Sequence, residues 1–451
     1  MNLQTTPYKE KETETETEGF ASDSQIIIDF PVVEHTPNGA LRLLSLFSGC
    51  GGMDIGFEGG FITHVKSVGK ETNVVAEKIS SDWVKLRHNR FYTVFANDIL
   101  PEAEVAWTEY MRNHGHSQKV YHLNSIVDLV KMHNAGVKIF PKNIDVVTGG
   151  FPCQDFSVAG KRRGFESHKD HEGHVRSADV PTEESRGKLY YWMKQVIDIT
   201  RPKVFVVENV KGLVSLGDVK DIIQRDFASA DGDGYIVLNP QVLHAGDYGV
   251  PESRERVIFI GIRIDGLKPE AYKALTQPEV ADEYNPYPRP THRCTVNDEN
   301  LLSVVTCRDV LSSLPEPEQS GDLAHRIYSH AKYQANGTQG QTEIKLDGLG
   351  PTIRSEHHGN IEFRRLSAEH GGKHTDELIK GLEERRLSPR ECALIQTFPP
   401  DYQFVIQKAA ARGYRISSSG AYKVIGNAVP PMLAYNIARR LEEVWPLYFN
   451  E

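Results

Sequence analysis

The sequence predicts an α/β fold in which a mostly parallel sheet carries functional loops along one edge. Short runs rich in Val, Ile and Phe, each closed by glycine or polar residues, recur at 41–47, 92–98, 144–150, 203–210, 235–245 and 256–263. Apolar residues at helical spacing occur between several of these runs, as at 187–200. Strands that alternate with helices favour a parallel sheet, and such sheets bind ligands at the carboxyl ends of their strands.

Composition divides the chain into segments of different character. "KETETETE" near the N-terminus alternates charge and threonine without an apolar face, which predicts a disordered acidic tail. After the strand-rich part, many Pro, Gly, His and Asn residues predict a second domain that is irregular or β-rich. Helical periodicity then returns at 388–398, with Ser388 as N-cap, and at 430–445. The predicted segments are 1–40, 41–263, 264–385 and 386–451.

Charge and cysteine content restrict the class of protein. The 451 residues carry a net charge of −9, of which residues 1–40 contribute −6, so the remainder is close to neutral and can hold local basic patches. Five scattered cysteines without a CxxC pair argue against a disulfide framework and a structural zinc site. No apolar run reaches 18 residues, and the N-terminus lacks the pattern of a secretory signal. We therefore expect a cytoplasmic protein without a membrane span.

The first glycine turn, "LFSGCGGMDIGF" at 46–57, lies between a predicted strand and a predicted helix. Such a turn lets backbone N–H groups approach a ligand closely, although many glycine turns are only structural. Asp98, at the end of the next long strand, is the candidate partner of a ribose. Its distance along the chain exceeds the usual separation of about 20 residues, so 61–91 is predicted to be an insertion. The glycine spacing does not match the GxGxxG pattern of NAD sites.

Two further strand ends carry reactive side chains. Cys153 lies in "GGFPCQDFSVAG", in a glycine-bounded loop close to Lys161, Arg162 and Arg163. Positive charge raises the thiolate fraction and favours a nucleophile, whereas most free cysteines are buried and inert. Glu208 in "VVENV" ends a buried strand, where desolvation favours the protonated carboxyl and a proton donor. A salt-bridged or capping glutamate is the alternative.

The segment "PESRER" places Arg254 and Arg256 two residues apart. On a strand both side chains lie on one face, which suits an anionic or hydrogen-bonding substrate. A solvated strand edge is the alternative.

Taken in order, six segments resemble the motifs of the DNA cytosine-5 methyltransferase family. "FSGCGG" is similar to the cofactor loop of that family, "GFPCQ" to its nucleophile loop, "ENV" to its base-binding glutamate and "PESRER" to its paired arginines. "RRLSPRECALIQTFP" and "YKVIGNAVPP" resemble its last two motifs. The resemblance covers about 41–263 and 386–451, and 264–385 occupies the place of the variable target-recognition domain.

The resemblance implies a Rossmann-like S-adenosylmethionine-dependent domain joined to a smaller recognition domain. Cys153 would attack C6 of a flipped cytosine in duplex DNA, Glu208 would protonate N3, and C5 would take the methyl group of S-adenosylmethionine. Arg256 would contact the base or Glu208, and Arg254 the nucleophile loop or a phosphate. The implied cofactor residues are Phe47, Ser48, Gly49, Gly51, Gly52, Asp98, Ser125, Pro152, Asn427 and Ala428, and the implied DNA contacts are Gln154, Ser157, Asn209, Arg162 and Arg163.

Three departures from the family pattern leave roles open. Glu252 replaces a usual glutamine, Ser125 replaces a usual aspartate with Asp128 three residues on, and 61–91 is inserted. The implied partners are double-stranded DNA and, functionally, a restriction endonuclease, and the implied protein is a bacterial, nucleoid-associated monomer without a metal. Two alternatives stay open at this point: a tRNA cytosine-5 methyltransferase, and a catalytically silent DNA-binding protein with this fold.

Overall fold

A computed structural model describes residues 36–70, 72–152, 189–216, 218–232, 234–335, 339–355, 360–410 and 412–450. The strands are β1 (Leu41–Leu46), β2 (Ile62–His64), β3 (Val75–Lys78), β4 (Trp83–Leu86), β5 (Phe91–Asp98), β6 (Tyr121–Leu123), β7 (Val146–Gly149), β8 (Val204–Val210), β9 (Tyr235–Val237), β10 (Gln241–His244), β11 (Glu255–Arg263), β12 (Phe363–Arg365), β13 (Arg385–Arg386), β14 (Ile406–Gln407) and β15 (Tyr414–Ile416). The α-helices are α1 (Gly52–Glu58), α2 (Pro101–Arg112), α3 (Ile126–Asn134), α4 (Leu189–Thr200), α5 (Val219–Ala228), α6 (Pro269–Leu275), α7 (Cys307–Leu311), α8 (Leu323–Arg326), α9 (Thr375–Ile379), α10 (Pro389–Ile395), α11 (Ser418–Asn427) and α12 (Pro431–Tyr448).

An eight-stranded sheet forms the centre of the molecule. Its strand order is β10-β11-β8-β7-β1-β5-β6, and β9 also pairs with β11. The strands β8, β7, β1, β5 and β6 are parallel to one another, whereas β11 runs antiparallel to β8, β9 and β10. The predicted mostly parallel α/β sheet is therefore confirmed, with an antiparallel edge.

Both faces of the sheet are covered by helices. Successive residues of a strand belong to opposite buried clusters: Val206 faces the cluster that includes Trp107 and Leu441, and Val207 faces the one that includes Met193 and Phe227. Helices α1, α2 and α12 thus cover one face, and α3, α4 and α5 cover the other. A strand buried on both faces reads as a continuous apolar run, which is the pattern seen in the sequence.

The predicted run 235–245 divides into two strands. Both β9 and β10 pair with β11, and the break between them includes Pro240. Proline has no N–H to donate to a ladder, so a single continuous strand through this position is disfavoured.

The expected insertion forms a small structure of its own. Strands β2, β4 and β3 make a three-stranded antiparallel sheet between α1 and β5. Lys66, in the turn after β2, forms an ion pair of 2.7 Å with Asp309 of α7. The insertion therefore contacts the region that follows the central sheet.

The described part of 264–385 is largely irregular, as expected, and its regular elements are mostly the short helices α6 to α9. Its β structure is limited to β12 and the two-residue strand β13 with which it pairs. Helices α10, α11 and α12 then return to the central domain, and Ser388 caps α10 as predicted. The division into domains at these boundaries stays a prediction. In the described ranges, no helix is both long and apolar enough to cross a membrane.

Candidate active site

The sequence motifs meet along one rim of the sheet. Strands β1, β5, β7 and β8 are parallel, so their carboxyl ends, and the loops after them, lie on the same side. Because β11 is antiparallel to β8, its first residues reach that same rim, and Arg256 pairs in register with Val210. The directions of the strands therefore bring Glu208 and the paired arginines together.

The loop after β1, residues 47–51, has a tightly specified conformation and is called here the cofactor loop. Phe47, Gly49 and Gly51 have positive φ angles of 52°, 53° and 80°. A side chain on Gly51 would begin 2.7 Å from Cδ1 of Trp107, so only glycine fits there. By contrast, nothing lies within 4 Å of the position that a Cβ on Gly49 would take. The loop therefore offers its backbone to open space at Gly49.

Hydrogen bonds to four residues outside it hold the cofactor loop. Asp98 accepts a bond of 3.0 Å from the N–H of Gly49. The Tyr121 hydroxyl donates to the Gly49 carbonyl at 3.1 Å, and the Tyr402 hydroxyl donates to the Cys50 carbonyl at 2.8 Å. The Ser48 N–H donates to the Asn97 carbonyl at 2.8 Å. The loop is thus preorganised.

Asp98 lies at the predicted strand end, but its carboxylate is engaged with the backbone. Besides Gly49, it accepts bonds from the N–H groups of Ile99 and Leu100 at 2.7 and 3.0 Å. Burial raises the pKa of Asp98, and these backbone donors oppose that shift. In this structure Asp98 shapes the rim, and its contact with a ribose stays a prediction.

Ser125 is buried at the N-cap of α3, and its side chain makes no capping bond. Asn97 fixes the turn before it by donating to the carbonyls of His122 and Asn124 at 2.9 and 2.7 Å. The turn after β6 therefore has a set position beside the turn after β5.

The late GNAVP motif returns to the cofactor loop, as the sequence suggested. The carbonyl of Val429 lies where a side chain on Gly52 would begin, and Ala428 packs beside it. The Cys50 thiol approaches the Val424 carbonyl of α11 at 3.3 Å. Asn427 is exposed at the end of α11, on the segment that reaches this corner.

Glu208 lies against the segment that leads into the nucleophile loop. Its carboxylate Oε1 forms an ion pair of 2.6 Å with Nε of Arg256. Its Oε2 is so close to Gly150 that a Cβ there would be 2.6 Å away. Asn209 donates from Nδ2 to the carbonyl of Phe151 at 3.1 Å. Gly150 and Phe151 are therefore held directly by "ENV", and the ion pair, one of the two sequence alternatives for Glu208, is present.

Arg254 is placed differently from Arg256. Its side chain is fully buried and donates to the carbonyls of Ile353, Gly426 and Ala428 at 2.9, 2.9 and 2.8 Å. Burial lowers the pKa of Arg254 to about 10. A buried guanidinium cannot contact a phosphate in this conformation, so Arg254 joins the rim to Ile353, which lies within 264–385, and to α11.

Several predicted residues lie outside the described residues: Cys153, Gln154, Ser157, Arg162 and Arg163. Pro152, which precedes Cys153 in the sequence, is half-buried. The sequence predicted that Asn209 contacts DNA. In the structure its Nδ2 donates to the Phe151 carbonyl, and its Oδ1 accepts the Val210 N–H at 2.9 Å. Its observed bonds support the loop backbone.

Sequence reasoning missed one residue, Asp54, and left the role of Glu252 open. Glu252 accepts the N–H of Ile353 at 2.6 Å, so it supplies a hydrogen-bond acceptor at the position of the usual glutamine. Asp54 is fully buried below the cofactor loop. The available signal for Asp54 was an acid among the apolar residues of "GMDIGF", on a short helix without an obvious solvent-facing side.

Known structures place the fold in a class. The methyltransferase Dnmt2 of S. pombe matches 89% of this chain and 98% of its own, with a TM-score of 0.51 and 17% identity. The methyltransferase EhMeth of Entamoeba histolytica matches 90% of this chain and 99% of its own, with a TM-score of 0.50 and 14% identity. The fold is thus that of a Rossmann-like methyltransferase.

Sequence comparison then identifies the family. The family model "C-5 cytosine-specific DNA methylase" matches residues 41–443. The type II methyltransferases M.BsuRI of Bacillus subtilis and M.BspRI of Lysinibacillus sphaericus are each 31% identical to this chain; both alignments cover 91% of this chain, with 81% and 83% of the relatives. The chain belongs to the C-5 cytosine-specific DNA methylase family and is a DNA cytosine-5 methyltransferase.

Proposed function

We propose that the protein transfers a methyl group from S-adenosylmethionine to C5 of a flipped cytosine in a specific duplex DNA sequence, through a covalent bond between Cys153 and C6. One observation carries this proposal. The Glu208 carboxylate lies between Arg256 and Gly150, at the segment that leads in sequence to Cys153. An acid and a nucleophile on adjacent strand ends suit attack on a base presented at this rim.

The chemistry explains why both groups are needed. C6 of cytosine is a poor electrophile, so attack requires a thiolate and a hydrogen-bonded or protonated N3. The Cys153 thiolate adds to C6 while Glu208 holds the N3 edge of the base and supplies the proton. Arg256 keeps the carboxyl of Glu208 in place through its ion pair. C5 then takes the methyl group, which leaves S-adenosylhomocysteine. The C5 proton passes to water, the C6–sulfur bond breaks to restore the Cys153 thiolate, and the N3 proton returns to Glu208 as 5-methylcytosine is released.

The cofactor loop fits S-adenosylmethionine, which supplies the electrophilic methyl group when bound. Its backbone faces open space at Gly49 and is fixed by Asp98, Tyr121 and Tyr402. A loop that is already held in one conformation and borders open space suits a small ligand, because it loses little conformational entropy on binding. Phe47, Ser48, Gly51, Gly52, Ser125, Pro152, Asn427 and Ala428 complete the proposed cofactor residues.

Duplex DNA is the proposed substrate, and the target base must leave the stack to reach Glu208. We assign the DNA contacts to Gln154, Ser157, Arg162 and Arg163, and base recognition to the 264–385 region. The relatives are bacterial type II methyltransferases. On this basis we propose that the enzyme protects host DNA in the bacterial cytoplasm, in functional partnership with a restriction endonuclease, and we propose separately that it acts as a monomer.

Methyl transfer from labelled S-adenosylmethionine to duplex DNA and to tRNA tests the proposal. We expect incorporation into DNA only, a loss of more than about a thousandfold in Cys153→Ala, and about a hundredfold in Glu208→Gln. Cys392→Ala is the matched control, because it removes a buried thiol outside the cofactor loop, the Glu208 site and 264–385. Bisulfite sequencing of DNA from expressing cells would then read out the methylated sequence.

The covalent step has its own test. Duplex DNA with 5-fluorocytosine at the target position should trap an adduct with wild-type protein and cofactor, because fluorine cannot leave C5 as a proton does. Cys153→Ala should give no adduct. A normal rate of DNA methylation by Cys153→Ala would overturn the mechanism, and incorporation into tRNA alone would overturn the proposed substrate.

A further inference from the structure

A buried polar cluster lies directly beneath the cofactor loop, and none of the functional motifs accounts for it. It consists of Ser45 at the end of β1, Ser48 in the loop, Asp54 on α1 and Trp107 on α2, and is called here the Asp54 cluster. Asp54 Oδ1 accepts the Ser45 hydroxyl at 2.6 Å, and Oδ2 accepts the indole N–H of Trp107 at 2.6 Å. The Ser45 and Ser48 hydroxyls are 2.8 Å apart.

The Asp54 cluster reaches the cofactor loop at two points. One is Ser48, whose hydroxyl also accepts the N–H of Asn97 at 3.0 Å. The other is Gly51, because the Trp107 ring that Asp54 holds lies against that glycine. A single carboxylate therefore fixes a side chain near the start of the loop and the ring that supports its end.

Solvent does not stabilise the charge of the Asp54 carboxylate. Asp54 has no exposed surface, and each of its oxygens has one donor. A buried carboxylate with so few donors is costly, so its persistence indicates that its two bonds are important to the arrangement. Burial raises the pKa of Asp54 to about 6, and the bonds from Ser45 and Trp107 oppose that shift.

Other ionisable groups face Asp54 from the surrounding elements. Glu58 on α1 raises its pKa, and His116, after α2, lowers it. The remaining groups in electrostatic contact with Asp54 are Cys50, Tyr121 and Tyr402. His116 is itself bound to Glu58 at 2.8 Å, one helical turn away from Asp54.

We propose that Asp54 is a positioning residue for the cofactor, whose ionised carboxylate holds Ser48 and Gly51 in the arrangement that binds S-adenosylmethionine. This inference rests on the proposed function of the loop. The ionised carboxylate accepts a hydrogen bond from the Ser45 hydroxyl, and the Ser45 oxygen in turn accepts a hydrogen bond from the Ser48 hydroxyl. A protonated Asp54, or an asparagine, donates to the Ser45 oxygen instead. The Ser45 hydroxyl then turns to donate to Ser48, and the Ser48 hydroxyl turns to the Ser45 carbonyl, 3.1 Å away. Loss of the charge on Asp54 therefore weakens the hydrogen bonds that position the cofactor loop but does not abolish them.

Equilibrium dialysis of labelled S-adenosylmethionine against the full chain, without DNA, measures the effect between about pH 5 and pH 8. The wild type should bind about fivefold more weakly at the acidic end, since a charge-assisted bond is replaced by a neutral one. Asp54→Asn should stay at the weaker affinity and show no such pH dependence. Asp54→Ala, which leaves Ser45 and Trp107 unpaired, should lose at least about tenfold, and asparagine should therefore rescue part of the alanine defect.

Two further variants make the test specific. Trp107→Phe keeps a ring below Gly51 but removes the N–H, and should also weaken binding by about fivefold. Glu58→Gln is the matched control, because this buried carboxylate on the same helix bonds to His116 and to the Thr93 N–H at 2.9 Å without contacting the loop. It should lower the melting temperature but keep the wild-type affinity at pH 8, where Asp54 is ionised in both proteins, whereas Asp54→Asn is weakened there.

Steady-state kinetics supply an independent readout. Asp54→Asn should raise KM for the cofactor and leave KM for DNA and the kcat at saturation unchanged. If Asp54→Asn binds as the wild type does at every pH, or Glu58→Gln is equally impaired, Asp54 has no special role in positioning. If the wild type itself binds no S-adenosylmethionine, the proposed function is wrong, and the inference about Asp54, which rests on it, is wrong as well.

Discussion

Glu208 owes its position to neighbours on two strands. Arg256 of β11 neutralises its charge, and Gly150 after β7 leaves room for its Oε2. In the sequence, Gly150 reads as one of several glycines around Cys153. In the structure it is the residue whose missing side chain lets the carboxylate approach the nucleophile loop.

Gly150→Ala should therefore displace Glu208 and separate it from Arg256. We expect methyl transfer to fall by about a hundredfold, because a displacement of about 1 Å at a reacting group costs that much, while cofactor affinity is retained. Radiolabel incorporation and equilibrium dialysis measure the two quantities. Gly321→Ala is the control, since its added methyl group meets nothing within 4 Å. Wild-type turnover in Gly150→Ala would show that the close approach is not required.

At the scale of elements, α10 shows how a sequence signal gains a tertiary partner. Ser388 and Glu391 form the capping box that begins the helix. Ser388 also contacts Nδ1 of His325 at 2.7 Å, while Nε2 of His325 donates to the Pro315 carbonyl at 2.8 Å. Arg385 donates to both carboxylate oxygens of Glu391, at 2.8 and 3.0 Å. Burial raises the pKa of Glu391, but the charge and hydrogen bonds of Arg385 outweigh the effect of burial, and the pKa is lowered to about 2. The helix start therefore anchors the segment before it.

Ser388→Ala should lower the free energy of unfolding by about 2 kcal/mol, about half from the cap and half from the unpaired His325. Ser417→Ala provides the comparison, because Ser417 caps α11 through the Gly420 N–H at 3.2 Å. That variant should lose only about 1 kcal/mol. Urea midpoints compare the two, and equal losses would contradict a role for His325.

At the scale of the whole molecule, Arg254 joins parts of the chain that are far apart in sequence. Its guanidinium donates to the carbonyl of Ile353, within 264–385, and to those of Gly426 and Ala428 at the end of α11. Glu252 binds the N–H of Ile353 from the same segment. The segment around Ile353 and the end of α11 are therefore connected through one buried arginine and Glu252, its partner in a buried ion pair.

Arg254→Ala should lower the free energy of unfolding by about 3–5 kcal/mol. Arg254 forms a buried ion pair with Glu252, and its removal leaves the Glu252 carboxylate as an uncompensated buried charge. Thermal unfolding should show a lower midpoint, and limited proteolysis should cut 264–385 faster. Arg112→Ala, which removes an exposed ion pair with Glu109, should cost less than about 1 kcal/mol. An Arg254→Ala protein as stable and as protease-resistant as Arg112→Ala would show that the contacts of Arg254 with 264–385 and α11 are not required for stability.

Local patterns determined much of the fold. Strands β1, β5, β7, β8 and β11 and the start of α10 follow from short apolar runs, glycine turns and a proline after a capping serine. The same strand ends predicted that Gly49 and Glu208 would lie on one rim, whereas a contact between Arg256 and Glu208 was implied only by the family resemblance. These features are readable because each depends on residues that are neighbours in the chain.

Tertiary structure alone decided the rest. The antiparallel direction of β11, which brings Arg256 to Glu208, leaves no mark in an apolar run. The burial of Arg254 and the bonds of Asp54 depend on carbonyls and rings supplied by distant segments. The sequence by itself determined which groups reach the rim, because strand ends are local features. Which of them face the ligand and which hold the rim together was decided by packing, because the same charged side chain serves either purpose according to what surrounds it.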